Sequence, residues 1–257
     1  MNKVTVVTAC FNSALVIKKN IESVNNQVGV DVEHIFIDGG STDSTLELIH
    51  HNSSNLGLVV TGKDDGIYNA LNIGISEASG EIICILNSDD FFENDSVLSN
   101  ITKVFDVEDT DIVYSGIRYV DSNYKTVAVW MPNQFEVGSF ITTWHPPHPG
   151  FFARKSCYDR AGLFDLNFVV AADFELMYRF MEVYGFKSTL FANITVCMRN
   201  DGYSSRFQSR LLGLNDIRNT FIKHNKPISL SLLLLKRYMR KVRRVFKYNF
   251  EEWRQNN

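Results

Sequence analysis

The sequence predicts an α/β fold in which a mixed, mainly parallel sheet is flanked by helices. Short β-branched runs alternate with helical patterns through the first half of the chain, which is typical of parallel strands joined by right-handed crossovers. Beyond residue 110, two apolar runs flank a polar turn, which predicts an antiparallel hairpin and makes the sheet mixed. The 257 residues are 45% hydrophobic, which is enough for one large core.

The predicted elements begin with the first residues and follow in order. Four strands are predicted in the first half of the chain: Val4–Thr8, His34–Ile37, Leu58–Val60 and Ile82–Leu86. The helical patterns between them begin near Ser13, near Asp43 and at Gly66, the last running to Ala78. The second half contains the two hairpin strands and one clear helix: Asp111–Ser115, Lys125–Trp130 and Ala172–Tyr184.

Small and polar residues collect where three of the predicted strands end. The segments are Thr8–Asn12, Asp38–Asp43 and Asn87–Asp90, the last with two adjacent carboxylates. Asp and Asn are also common in ordinary surface turns, so one such segment alone would indicate little. Because the carboxyl ends of parallel strands meet at one edge of a sheet, the three together predict a ligand site there.

Charge is distributed unevenly along the chain. Residues 1–205 hold 13 basic and 26 acidic residues, whereas residues 206–257 hold 13 basic and 3 acidic ones. From Leu235 onward, apolar residues recur at three- and four-residue spacing among seven cations, which predicts an amphipathic basic helix. Such a helix either lies on an anionic membrane surface or folds back on the acidic part of the chain. No nucleic-acid-binding module accompanies these cations, so we expect no nucleic-acid partner.

The cysteines and histidines predict neither disulfides nor a zinc site. The four cysteines are scattered singly among apolar neighbours, which indicates reduced core thiols: Cys10, Cys84, Cys157 and Cys197. His145 and His148 have HxxH spacing, but the prolines between and after them exclude the helix that would put both on one face. No apolar run reaches the roughly 20 residues of a spanning helix, and no signal-peptide pattern opens the sequence, so we expect a cytoplasmic protein.

Four ordered motifs resemble the inverting family 2 glycosyltransferases, especially bacterial members that build O-antigen and other surface polysaccharides. The motifs are Thr8–Asn12, Ile37–Asp43, Asp64–Ile75 and Gly80–Asp90, with weaker matches further along the chain. The resemblance implies the Rossmann-like GT-A fold for a catalytic domain over residues 1–205. Its nucleotide-sugar half would span about residues 1–110 and its acceptor half about 111–205. Residues 206–257 lie outside the resemblance, and their cations predict a basic, membrane-associating helical region.

The resemblance also implies which residues contact the donor. Asp38 matches the position that recognises the nucleobase, where a carboxylate accepts a hydrogen bond from uracil; the alternative is a role in capping the following helix. The Thr8–Asn12 turn would form the wall against the base. The donor-binding residues expected from the resemblance are Thr8, Ala9, Phe11, Asn12, Asp38, Asp65, Asn87, Ser88 and Asp90.

Asp89 matches the metal-binding second acid of the family's DxD signature. A diphosphate leaves more readily when its charge is neutralised, and a hard cation, Mn²⁺ or Mg²⁺, can be held by one or two carboxylates together with phosphate oxygens. Asn87 replaces the first acid of the signature. An amide can hydrogen-bond the ribose but contributes no charge, so the sequence leaves open which neighbour completes the metal site.

Asp173 matches the family's catalytic base, which removes the proton of the attacking acceptor hydroxyl. An ordinary Asp is ionised at neutral pH and can accept that proton; the competing interpretation is a helix cap, since Asp173 begins a helical pattern. Two further residues are expected near the substrates. His148 would line the acceptor pocket, and Arg206 would either offset the charge of the leaving group or lie in a plain surface turn.

Together these features predict a metal-dependent hexosyltransferase that uses a UDP-sugar. The expected acceptor is a polyprenyl-diphosphate-linked oligosaccharide of O-antigen or lipopolysaccharide biosynthesis, reached by an enzyme peripheral on the cytoplasmic face of the inner membrane. One alternative is a sugar nucleotidyltransferase, although the Thr8–Asn12 turn lacks the glycine-rich loop ending in basic residues expected of that class. The other is an inactive GT-A-like scaffold at the membrane, which the Asn87 replacement keeps open.

Overall fold

A computed structural model describes residues 3–62, 66–199, 207–226, 228, 229 and 231. Asp65, Arg206 and the predicted basic helix beyond Leu235 lie outside the described residues. No helix within the described ranges is both long enough and apolar enough to cross a membrane.

The strands and helices alternate through the first half of the chain, as predicted. The strands are β1 Lys3–Cys10, β2 Asp31–Asp38, β3 Leu56–Thr61, β4 Ile82–Ile85, β5 Phe91–Phe92, β6 Ile112–Val120, β7 Thr126–Trp130, β8 Phe151–Arg154 and β9 Ser188–Arg199. The helices are α1 Ile17–Asn25, α2 Thr45–Asn52, α3 Ile67–Glu77, α4 Val97–Glu108, α5 Lys155–Ala161, α6 Ala172–Tyr178 and α7 Phe207–Lys223. Short 3₁₀ turns cover Ser139–Thr142 and His148–Gly150.

The strands form one mixed sheet in the order β3-β2-β1-β4-β8-β6-β9-β5, with β7 paired to β6. The four strands of the first half are mutually parallel. Antiparallel β8 joins this part to β6, and β6 runs parallel to β9. The mixed, mainly parallel sheet and the antiparallel β6–β7 hairpin are therefore confirmed. The sequence patterns did not predict α4, α5, β8 and β9.

The predicted helix over 172–184 changes its geometry midway. Its α-helical part ends at Tyr178, and Arg179–Val183 continue as a π-helical turn in which the Tyr184 N–H donates to the Arg179 carbonyl at 2.9 Å. Arg179 is buried at this junction, where its guanidinium bonds Glu175 and three backbone carbonyls. Such wider turns are typical of places where a side chain must reach a defined partner.

Close packing determines the distance between α3 and the sheet. A Cβ atom at Gly74 would lie 2.4 Å from Val7 Cγ1, so only a glycine allows this approach of helix to strand.

On the same side, an aromatic cluster joins β6 to α6 and α7 through edge-to-face contacts: Tyr114, Phe140, Trp144, Phe174, Tyr178 and Phe221. The four cysteines are buried, which confirms that they belong to the core.

Candidate active site

A cavity of about 580 Å³ lies at the carboxyl ends of β1 and β4. From the nucleotide half it is lined by Ala9 and Asn12 after β1 and by the Asn87–Asp89 turn after β4. His148 and Asp173 line it from the acceptor half. The structure thus brings seven of the sequence-predicted site residues to one cavity: Ala9, Asn12, Asn87, Ser88, Asp89, His148 and Asp173.

Asp173 lies in the first turn of α6 and does not cap it. The capping position is Ala171, which makes no side-chain capping hydrogen bond. The hydroxyl of Tyr68, from α3, lies 3.5 Å from Asp173 Oδ1 and donates to the Val170 carbonyl at 2.7 Å. Burial, followed by the charge of Asp173, raises the pKa of Tyr68, so the phenol keeps its proton and acts as a donor. The carboxylate is therefore held beside a neutral hydroxyl.

His148 presents a buried ring nitrogen in the cavity wall. Its Nε2 atom has no hydrogen-bond partner in the part of the chain that the structure describes. Burial lowers the pKa of His148, against the opposing charge of Asp173, so the ring is neutral at pH 7. A neutral imidazole can donate or accept one hydrogen bond at Nε2, which suits it to a substrate hydroxyl.

The turn after β4 separates the two adjacent acids. Asp90 is buried and accepts hydrogen bonds from Asn87 Nδ2 at 3.0 Å and from the Arg199 N–H at 3.3 Å. Burial, and then the charge of Asp89, raises the pKa of Asp90 well above its usual value. Asn87 thus holds Asp90 in the interior of the turn, and Asp89 is the carboxylate of this turn that lines the cavity.

Three residues predicted to contact the donor make their hydrogen bonds to other groups of the protein. The Thr8 hydroxyl is buried, donates to the Leu86 carbonyl at 2.8 Å and lies 2.9 Å from His34 Nε2. Asp38 is buried and accepts from the N–H groups of Gly40 and Ser41 at 3.0 and 2.8 Å. Neither these two residues nor Asp90 lines the cavity, because their polar atoms bond the strand ends and turns.

Of the two residues after β1, only one lines the cavity. Phe11 is 62% exposed and is not a lining residue of the cavity. Asn12 lines the cavity in a left-handed conformation with φ 47°, and its Oδ1 accepts from the Thr42 N–H at 2.9 Å. Asn12 therefore joins the end of β1 to the turn after β2, and Asn is one of the few residues that adopt this φ readily.

Sequence reasoning missed several residues that line the cavity. Arg199, at the end of β9, is one of these lining residues. Its position depends on β9, a strand that no clear pattern predicted, so no sequence signal pointed to it. Tyr68 stood within a recognised motif without an assigned role. Val169 and Val170 are placed on the wall by the loop before α6.

The lining fits a cation whose coordination is completed by its substrate. Within the described residues, no group of three or more His, Cys, Asp or Glu side chains could hold a metal ion. The turn after β4 contributes the Asp89 carboxylate and the Asn87 amide to the lining. Oxygen ligands of this kind suit Mg²⁺ or Mn²⁺, which can be held by one or two carboxylates when phosphate oxygens supply further ligands.

Comparisons with known proteins found a matching family model and similar sequences. The family model described as "Glycosyl transferase family 2" matches residues 5–165. A PGL/p-HBAD biosynthesis glycosyltransferase of Mycobacterium bovis is 26% identical over 179 residues, which cover 68% of each chain.

Two solved structures share the fold. The chain superposes on S. aureus TarS 1–349 in complex with UDP-GlcNAc with a TM-score of 0.69 and 18% identity, covering 90% of this chain and 70% of that one. For the mannosyltransferase PcManGT from Pyrobaculum calidifontis in complex with GDP-Man and Mn²⁺, the TM-score is 0.64 at 18% identity, covering 88% and 65%. The chain spans 39% of a longer TarS chain.

Proposed function

The chain belongs to glycosyl transferase family 2, and we propose that it transfers a sugar from a UDP-sugar to a hydroxyl of a lipid-linked glycan, with inversion at the anomeric carbon. One observation carries the proposal: Asp89, from the nucleotide half, and Asp173, from the acceptor half, line the same cavity. A transferase of this class needs one acid to help seat the diphosphate and another to accept a proton. The two carboxylates in this cavity are suited to these two tasks.

A UDP-sugar is the donor that the supporting observations favour. TarS, which shares the fold, binds UDP-GlcNAc, and PcManGT binds GDP-Man with Mn²⁺. In this chain Asp89, with Asn87 beside it, would hold the Mn²⁺ or Mg²⁺ ion. When bound, the cation would neutralise the charge of the departing diphosphate. Arg199, which lines the same cavity, adds a guanidinium suited to phosphate oxygens.

Asp173 acts as the general base in the proposed reaction. It takes the proton of the acceptor hydroxyl while that oxygen forms a bond to the anomeric carbon. The bond between this carbon and the diphosphate oxygen breaks on the opposite face, and UDP leaves with the electron pair. A single displacement inverts the centre, so an α-linked donor gives a β-linked product. The neutral His148 ring is placed to hydrogen-bond the acceptor.

A lipid-linked acceptor is favoured by apolar residues near the cavity. Ile67 and Val169 line the cavity and are 50% and 67% exposed, and nearby Leu166 on the same loop is also exposed. Single exposed apolar residues are common, but side chains at the rim of a polar cavity can contact an apolar part of a substrate. An O-antigen or related surface glycan carried on a polyprenyl diphosphate combines such an apolar part with sugar hydroxyls.

Titration with UDP tests the donor and metal parts of the proposal. We expect UDP to bind more tightly with Mn²⁺ than with EDTA, because Asp89 would help to hold the ion and the ion would offset the charge of the diphosphate. Asp89→Ala should remove this gain and abolish turnover, whereas Asp95→Ala, at an exposed acid of the following turn, should keep both. Binding that is unaffected by Mn²⁺ would argue against metal dependence. Absence of UDP binding would overturn the donor assignment.

Product analysis tests the stereochemistry. UDP release across a panel of UDP-sugars identifies the donor, and the NMR coupling constant of the new anomeric proton then gives the linkage. We expect a β-linked product from an α-linked donor. An α-linked product would contradict the single displacement through Asp173.

We also propose that the basic C-terminal segment holds the enzyme on anionic membranes, at the cytoplasmic face of the inner membrane. Near such a surface each cation contributes about 1 kcal/mol before screening. Replacing Arg240, Lys241, Arg243 and Arg244 by Gln in the full chain should reduce co-sedimentation with phosphatidylglycerol vesicles. A quadruple replacement of Lys18, Lys103, Lys125 and Lys155 is the matched control. Equal sedimentation of both variants would contradict the membrane assignment.

A further inference from the structure

Helix α7 contacts the loop that precedes Asp173, although it lies outside the residues 5–165 matched by the family model. We call residues 162–171 the base loop, because they lead into the helix that carries Asp173. α7 approaches this loop closely, since a Cβ atom at Gly213 would lie 3.6 Å from Val170 Cγ1. One helical turn further on, Asp216 is 7% exposed and faces the same loop.

One peptide unit of the base loop is held at both of its ends. The unit joins Val170 to Ala171; its carbonyl accepts from the Tyr68 hydroxyl at 2.7 Å, and its N–H donates to Asp216 Oδ2 at 3.1 Å. The same Asp216 oxygen also accepts from the Val170 N–H at 2.8 Å. A peptide unit bonded through both carbonyl and N–H cannot rotate without breaking a hydrogen bond, so the backbone at Ala171, the residue before α6, is fixed.

The base loop is also held further back along the chain by α7 and α6. Lys223, the last residue of α7, donates to Asp165 at 2.8 Å and to Glu175 at 2.7 Å. Arg179 pairs with Glu175 and donates to the carbonyls of Gly162 and Leu163 at 2.8 and 2.7 Å. Within this arrangement, Asp216 is the acid that bonds the backbone immediately before the helix of the base.

We propose that Asp216 is a positioning residue for the transfer reaction: by holding the Val170–Ala171 peptide against Tyr68, it places the Asp173 carboxylate for proton abstraction. This inference rests on the proposed function, in which Asp173 is the base. Misplacing a reacting group by about 1 Å can lower the rate on the order of 100-fold, even when the change lies outside the reacting atoms. Asp216 bonds the loop and does not line the cavity, so it acts through the backbone.

The pair Asp216→Ala and Asp216→Asn tests the proposal. Ala leaves two backbone N–H groups without their acceptor, whereas the Asn amide oxygen can accept from both. We expect Asp216→Ala to lower kcat by about 10- to 100-fold, with donor KM and UDP affinity unchanged. Asp216→Asn should return kcat to within about threefold of the native value, since a positioned oxygen, and not a charge, is required.

Two control variants separate positioning from loss of stability. Gly213→Ala changes the same face of α7 with an ordinary contact to Val170 and should leave kcat unchanged. Glu33→Ala removes another largely buried carboxylate, which bonds Thr5 and Ser79 far from the cavity, and should lower Tm without lowering kcat. If Asp216→Ala does not fold, Asp216→Ser replaces it, because the serine hydroxyl is too short to reach both N–H groups.

The outcomes distinguish this inference from the proposed function. A kcat for Asp216→Ala within threefold of the native value, a parallel loss of UDP affinity, or an Asp216→Asn variant as slow as Asp216→Ala would each overturn the positioning role. If Asp173→Asn keeps a near-native rate, the base assignment itself is wrong. If Asp173→Asn is inactive while Asp216→Ala is fully active, only the positioning role fails.

Discussion

The turn after β2 follows one aspartate expected in the site and the base loop precedes another, yet the two are stabilised in different ways. Asp38 accepts hydrogen bonds from Gly40 and Ser41, only two and three residues away. The base loop is bonded by Tyr68, 102 residues before Val170, and by Asp216, 46 residues after it. The shortest hydrogen bonds of Asp38 thus come from its neighbours in sequence, with longer contacts from Cys10 at 3.7 Å and Thr61 at 3.4 Å, whereas the base loop is bonded by distant elements.

This difference indicates what each region can be used for. A turn whose own N–H and O–H groups bond its acid can form from the local sequence. The carboxylate of that acid then already accepts hydrogen bonds from the turn. A loop held from α3 and α7 leaves Asp173 to line the cavity, and the placement of that acid depends on packing across the whole acceptor half. The locally bonded turn therefore stabilises the sheet edge, whereas the loop bonded by distant elements leaves Asp173 in the lining of the cavity.

Among replacements in these two regions, the largest effect is expected from Asp173→Asn, which removes the proposed base without changing its shape. We expect kcat to fall by about 10²- to 10⁴-fold, because general base catalysis is lost. UDP affinity should be unchanged, and the free energy of unfolding should change by less than about 0.5 kcal/mol, since Asp173 does not cap α6. Steady-state UDP release and urea unfolding measure the two quantities. A near-native rate would mean that another residue is the base.

Asp38→Ala, unlike Asp173→Asn, should act mainly on stability. It should lower the free energy of unfolding more than any single replacement in the base loop. Two backbone N–H groups and the Ser41 hydroxyl lose a buried charged acceptor, which costs about 2–3 kcal/mol. Asp121→Ala is the matched control, because Asp121 bonds the N–H groups of Asn123 and Lys125 in an exposed hairpin turn. Its loss should cost below about 1 kcal/mol in urea unfolding. Equal losses of unfolding free energy in the two variants would show that the burial of Asp38 does not increase its contribution to stability.

Acid should weaken the nucleotide half before it weakens the contacts of the base loop. Burial lowers the pKa of His34 to about 3, from about 6.5 in the unfolded chain. Between these two pH values only the unfolded state binds the proton. The free energy of unfolding therefore decreases as the pH is lowered, by about 2 kcal/mol from pH 7 to pH 5. Burial raises the pKa of Glu175, but bonds from His224, Arg179 and Lys223 outweigh it and bring that pKa to about 2. The stability contributed by Glu175 is therefore lost only below about pH 4.5.

Urea unfolding of the native chain and of His34→Gln at pH 7 and pH 5 checks this order. The native chain should lose about 2 kcal/mol more than the variant over this interval, because Gln does not titrate. Equal losses would mean that His34 is not responsible for the acid sensitivity.

The smallest expected effect is that of Asn72→Ala on α3. The Asn72 amide donates to the Phe164 carbonyl and accepts from the Phe164 N–H, both at 2.9 Å. Loss of these bonds should cost about 1–2 kcal/mol and speed amide exchange in the base loop but not in the turn after Asp38. Ser76→Ala, whose hydroxyl bonds within the same helix, is the control and should leave exchange unchanged. Uniform acceleration in both regions would contradict a local role.

The parts of the site that could be predicted are those set by local pattern. The turn Asn87–Asp89 follows an apolar strand, and Asp173 matches a position of the family that the sequence resembles, so both were expected and both line the cavity. Thr8, Asp38 and Asp90 belong to the same motifs but lie in the interior, because burial depends on which neighbouring strand approaches. Arg199 and Asp216 could not be predicted, since β9 and α7 acquire their positions only by pairing and packing.

The sequence alone determined the alternation of strands and helices, the polar turns at the strand ends and the two acids suited to transfer chemistry. These follow from interactions among residues close in the chain, which a linear pattern records. The tertiary structure decided which of those acids line the cavity and which bond the backbone. It also decided that Tyr68 and Asp216 hold one peptide before Asp173, because contacts between residues far apart in the chain exist only after the sheet and its helices have packed.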